Sequence, residues 1–94
     1  MPRYSPRISK RKAIRWFNIV YSTPWPDQKM PESIESLLHE LGIWINPETI
    51  EAIEKVPPDV MGLRMLKIYT NSLEIQISVY GKNIQWLVID RLPR

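Results

Sequence analysis

Residues 64–90 read RMLKIYTNSLEIQISVYGKNIQWLVID, and the reading of this stretch decides the fold. β-Branched and aromatic side chains alternate with polar ones over 64–70, 73–80 and 83–90, the period of half-buried strands. The dipeptides Asn71-Ser72 and Gly81-Lys82 separate the runs. Each has the length of a two-residue hairpin turn, and glycine in the first turn position is what a type II′ hairpin uses. The register then follows on paper. Thr70 pairs with Leu73, so Ile68 faces Ile75 and Leu66 faces Ile77. Tyr80 pairs with Asn83, so Val79 faces Ile84, Ile77 faces Trp86 and Ile75 faces Val88. The predicted core face is Leu66, Ile68, Leu73, Ile75, Ile77, Val79, Ile84, Trp86 and Val88. The other face carries Lys67, Tyr69, Glu74, Gln76, Ser78, Tyr80 and Gln85, and ends on the apolar pair Leu87 and Ile89.

One apolar face needs a cover, and amphipathic helices upstream can supply it. Pro31 suits the first turn of a helix, and Glu32 and Glu35 suit its positive end. Ile34, Leu37, Leu38 and Leu41 recur at i, i+3, i+4 and i+7, one apolar stripe, and Gly42 ends the run. Asn46 is a good N-cap and Pro47 a good first residue, so a second helix is expected from about Pro47 to Lys55, with Ile50 and Ile53 inward and Pro57-Pro58 as its stop. Trp44, between the two, is expected in the core with Trp86. Ala13–Tyr21 is aromatic and β-branched, which predicts a strand joining the sheet. The expected fold is α+β: an N-terminal basic arm, one strand, two short helices, then a three-stranded antiparallel meander, with the helices on one face of the sheet.

The chain of 94 residues is one domain's length, and 44% hydrophobic with 24% charged residues is ordinary for a globular domain. With no cysteine there is no disulfide, thiolate metal site or cysteine nucleophile. No apolar run is long enough for a membrane helix, and the basic N-terminus lacks the apolar stretch of a secretory signal, so a cytoplasmic or viral location is expected.

The net charge of +3 conceals an asymmetry. Arg3, Arg7, Lys10, Arg11, Lys12 and Arg15 lie in the first fifteen residues with no acid among them, while the other 79 residues hold seven basic and ten acidic side chains. Residues 1–13 have few apolar side chains and two prolines, which predicts a flexible basic arm ahead of a single domain over 14–94. A cluster of cations on a conformable backbone fits phosphates. Tyr4 and Trp16 flank the cluster as stacking candidates. Arg64 and Lys67 on the first meander strand form a second basic contact.

Other constellations are weak. The two expected helices resemble a helix-turn-helix, but the second carries Glu48, Glu51 and Glu54, the wrong sign for phosphate. His39 is the only histidine, and the helical glutamates lack the His or Cys partners of a metal site, so no catalytic residue, metal or cofactor is expected. Trp25, set between Pro24 and Pro26, is a core plug or a protein contact, as are Leu87 and Ile89 on the outer face. The expected element order also resembles RelE/ParE-type toxins, and Gly62-Leu63-Arg64-Met65-Leu66-Lys67-Ile68 is similar to a strand opening common there. That resemblance implies a small ribonuclease toxin using Arg64, Lys67 and Arg91. Where that superfamily typically has Tyr-Arg and, near the end, Gly-His-Arg, this chain has Leu73-Glu74 and Ile89-Asp90-Arg91. The preferred expectation is a non-enzymatic nucleic-acid-binding protein, for RNA or a nucleoprotein assembly. The alternatives are a protein-interaction module or inhibitor binding through an acidic partner surface or as a homodimer, and the toxin.

Overall fold

The computed structural model describes residues 11–24 and 30–92. Two helices, α1 (Arg11–Ser22) and α2 (Met30–Glu40), precede four strands, β1 (Ile50–Val56), β2 (Arg64–Thr70), β3 (Leu73–Tyr80) and β4 (Asn83–Arg91). The strands form one antiparallel sheet in the order β1-β2-β3-β4. The α+β class, two helices and a closing meander are as the sequence predicts. Two segments exchange roles: 13–21 is helix rather than strand, and 47–55 is mostly strand rather than helix.

The first exchange follows from periodicity overriding propensity. In α1 the buried residues are Ala13, Ile14, Phe17 and Val20, a helical stripe. As a strand, the same residues would put Arg15 on one face with Phe17, and Asn18 on the other with Ile14 and Val20. Only the helical period sorts polar from apolar, and β-propensities of a few tenths of a kcal/mol do not outweigh that. Arg11 and Lys12, expected in the arm, lie in α1, and Ala13 is fully buried.

The second exchange shows that a start signal does not set a length. Asn46 does cap: its Oδ1 accepts from the Glu48 N–H at 3.0 Å, with Pro47 next. The result is one 3₁₀ turn over Pro47–Thr49, followed directly by β1. A helix confined between Pro47 and Pro57 would be short and would bury only Ile50 and Ile53. The extended form instead gains a full ladder with β2, prolonged at its mouth by the Asn71 N–H donating to Thr49 O at 3.1 Å.

The α2 helix matches expectation closely. Ile34, Leu37 and Leu38 are fully buried, with Leu41 nearly so. Gly42 (φ 81°) closes it in a Schellman motif, with Ile43 N–H donating to Leu38 O at 2.8 Å and Gly42 N–H to His39 O at 3.0 Å. The link beyond is extended, so Ile43 turns inward while Trp44 is 75% exposed, edge-on to His39, and not in the core.

The β2–β3 register is the predicted one, with Leu66 opposite Ile77 and Ile68 opposite Ile75. In β3–β4 the predicted pairing holds for Tyr80–Asn83 and Val79–Ile84. Ser78 then pairs with Trp86, so Gln85 is an extra residue, a β-bulge. Since side chains alternate, one extra residue reverses the faces of the rest of the strand. Leu87, not Trp86, fills the core at 1% exposure, and Ile89 packs against it; Trp86 is on the outer face. Leu87, expected on the outer face, is therefore buried, and Ile89 is half-buried against the core.

The buried residues of both helices and of the sheet make one cluster. Within it, α1 crosses one end of the sheet strand by strand. Tyr21 Oη donates to Val56 O at 2.7 Å and Lys55 Nζ to Thr23 O, which fixes the C-terminal end of α1 over β1. Arg64, the first residue of β2, lies over Phe17 and Tyr21. The N-terminal half reaches the β3–β4 turn.

The bulge is testable by the asymmetry it creates. Leu87→Ala should lower unfolding free energy by about 2–4 kcal/mol in urea titrations, whereas Trp86→Ala should cost less than about 1 kcal/mol. Without the bulge the order would be reversed.

Candidate nucleic-acid interface

Burial of one stripe of α1 dictates what the other stripe shows. With Ala13, Phe17 and Val20 facing the sheet, Arg11, Arg15, Asn18 and Ser22 recur at i, i+4, i+7 and i+11 on the exposed side. Lys12 is also exposed, further round the helix. The first turn has no acid, so its cations stand at the positive end of the helix dipole. Like charge there costs a few tenths of a kcal/mol per residue and favours an anionic ligand.

The β3–β4 turn completes the arrangement. Arg11, Ile14, Arg15 and Asn18 of α1 line an open groove of about 590 Å³ with Gly81 and Lys82 of the turn. Three cations and a side-chain amide therefore share one concavity, and among the described residues no carboxylate lines it. Gly81 is at φ 61°, the left-handed conformation that a two-residue hairpin turn requires, and this projects Lys82 beside the helix.

Arg64 holds the groove's wall in place. Its Nη1 donates to Asn18 Oδ1 at 2.8 Å, and its guanidinium lies 5.3 Å from the Phe17 ring centroid and 5.4 Å from that of Tyr21. The two rings stack at 5.6 Å. The arginine thus clamps α1 to the edge of β2 and orients an amide that faces the groove.

The other residues singled out in the sequence are dispersed. Lys67 is on the outer sheet face, in register with Glu54 and Gln76, away from the groove. Trp16 is half-buried against the core rather than freely presented for stacking. Arg3, Tyr4, Arg7, Lys10 and Trp25 lie outside the described residues. Arg64, Lys67 and Arg91 do not converge: Arg64 pairs with Val79 and Arg91 with Leu73, six positions apart on β3, or about 20 Å at ~3.3 Å per residue. Lys67 also faces the opposite side from the clamp. Asn18 and Lys82 are the additions that sequence reasoning missed. Reading 11–22 as a helix would have exposed Asn18; Lys82 was visible only as a turn residue.

Charge is segregated along the sheet. The end of β3 far from the groove carries Glu74 and Asp90 in register with each other, and Glu54 accepts from Tyr69 Oη at 3.3 Å. Burial, with the carboxylates of Glu74 and Glu54, raises the Tyr69 phenol above its ordinary value. That end would repel a polyanion.

Among the described residues no cluster of His, Cys, Asp or Glu has the makings of a metal site, and no helix is long and apolar enough to cross a membrane. Comparison with protein-family models, curated proteins and solved structures finds no match for the chain.

Removing the clamp should loosen α1. Arg64→Ala is expected to destabilise the fold by about 1–2 kcal/mol in denaturant titration, from a lost cation–π contact and one hydrogen bond. Arg64→Lys should recover only part, because an ammonium cannot lie flat over two rings while reaching Asn18.

Proposed function

We propose that this chain is a non-enzymatic nucleic-acid-binding protein that seats a phosphate backbone in the groove between α1 and the β3–β4 turn. The observation that carries the reading is the convergence of Arg11, Arg15 and Lys82, with Asn18, on one concavity that no carboxylate lines among the described residues. Cations so placed exchange condensed counterions for protein contacts, which is the main source of sequence-independent affinity. Lys10 adjoins Arg11 in the chain, and Arg7 and Arg3 precede it, so the basic run of the sequence continues upstream of α1.

Concavity favours a backbone that enters over a duplex that is read. Major-groove readout needs a helix standing proud of the protein surface. Here Gly81 and Lys82 of the β3–β4 turn line the groove beside α1, and the Asn18 amide oxygen is already bonded to Arg64. RNA or another flexible strand fits this geometry better than sequence-specific duplex DNA. β1 carries Glu51 and Glu54, the wrong sign for phosphate, and takes no part in this reading.

Fluorescence anisotropy of the full chain with a labelled RNA oligonucleotide, across a salt series, tests the reading. Affinity should fall with salt, and the triple substitution Arg11→Ala, Arg15→Ala, Lys82→Ala should weaken binding at least tenfold and flatten the log–log slope by about 2, at ~0.7 per single-strand phosphate contact. Absence of binding by the native chain, or a triple variant that keeps native affinity and slope while remaining folded, would rule it out.

A further inference from the structure

On the other side of the same hairpin tip lies a second hollow, of about 430 Å³, lined by Asp59, Met61, Leu63, Tyr80, Gln85 and Trp86. Its walls carry three large, exposed apolar side chains. Met61 is 67% exposed, Tyr80 43% and Trp86 42%. Scattered exposed apolar residues are ordinary, but a contiguous set around a hollow with polar groups at its rim marks a binding surface.

The hollow is built rather than incidental. In a regular strand, consecutive side chains point to opposite faces. Gln85 and Trp86 nonetheless line the same hollow, because the bulge at Gln85 re-aims one of them. The facing wall is the 59–63 loop, which is held by its own hydrogen bonds. Asp59 Oδ1 accepts from Met61 N–H at 2.8 Å and Leu63 N–H at 2.9 Å, while Asp59 N–H donates to Leu63 O at 3.1 Å. Two aromatic side chains, a thioether and a carboxamide that can both donate and accept are thus presented together.

Its position identifies the occupant. Tyr80 lies in this hollow, while Gly81 and Lys82, the next two residues, line the cationic groove on the other side of the tip. A ligand bridging both must carry negative charge and flat apolar groups at close, regular spacing, and it must bend sharply round a hairpin. A single-stranded nucleic acid has these properties: its phosphates fit the groove and its bases the aromatic hollow. A duplex is stiff over roughly 150 base pairs and keeps its bases stacked inside, so it cannot serve both sites.

We infer that the chain is selective for single-stranded nucleic acid, with bases stacked on Trp86 and Tyr80 while the backbone passes over the β3–β4 turn into the α1 groove. This inference rests on the phosphate-binding reading above. Gln85 is positioned to hydrogen-bond a base edge, and Asp59 Oδ1 is engaged by the N–H groups of its own loop.

The test uses the full chain with three probes: an oligoadenylate of about twelve nucleotides, a length within the site sizes of known single-strand-binding domains, an abasic strand of equal length, and the corresponding duplex. The native chain should bind the oligoadenylate at least about tenfold tighter than either of the others. Trp86→Ala should remove about five- to tenfold of that affinity and leave the abasic strand unaffected, while Trp86→Phe should restore most of the loss. If oligoadenylate and abasic strand bind equally well, and Trp86→Ala changes neither, base stacking is wrong while the phosphate groove stands. If neither strand binds, both readings fall. Light scattering supplies a further check: a native dimer that Trp86→Ala converts to monomer would make the hollow a copy-to-copy contact and overturn the inference.

Discussion

The apolar face of the four-stranded sheet has to be covered, and α1 can cover one end of it in only one rotation. Ala13, Phe17 and Val20 must turn into the core that α1 shares with α2 and the sheet. Each large side chain buried there contributes on the order of 1.5–3 kcal/mol, far more than the few tenths lost by crowding cations at a helix N-terminus. Hydrophobic burial therefore decides where the charge goes. Arg11 and Arg15 are turned outward by the packing beneath them, and the crossing direction of α1 brings them to the β3–β4 turn and Lys82. Arg64 locks the rotation by lying over the aromatic pair on α1 and bonding the amide beside them.

The second constraint is the single extra residue in β4. A regular strand would have buried Trp86 and exposed Leu87. The bulge exchanges them, placing a branched aliphatic side chain in the core and leaving the indole at the rim of a hollow. The same residue, Gln85, makes the hollow's wall continuous. Thus one local irregularity both completes the core and shapes the surface on the far side of the hairpin from the cationic groove.

Much of the fold was legible where periodicity is long and bounded. The α2 stripe, its Gly42 stop and the β2–β3 register all follow from spacing, since several apolar positions and a turn agree. Two short segments were not. Over 13–21 the residue types favour a strand while the spacing favours a helix, and burial enforces the spacing. Over 47–55 the cap residues announce a helical turn correctly, but the choice after one turn depends on β2, whose paired residues lie 9 to 20 positions downstream, from Val56↔Met65 to Ile50↔Thr70. The bulge leaves no mark on alternation until Leu87, and by then both faces look acceptable. The site was half legible for the same reasons. Its cations stand out in composition, but their convergence needs the helical reading of α1 and a turn lysine that nothing local singles out.

The central claim is that α1 and the β3–β4 hairpin tip form one continuous surface for a single strand. Backbone amide shifts of the isotope-labelled chain, followed during titration with oligoadenylate, test it most directly. The account predicts that amides of Arg11–Asn18 and of residues 80–86 move together along one binding curve, while those of α2 and β1 stay in place. Shifts centred instead on Trp44 and α2, or no concerted shifts at all, would contradict it.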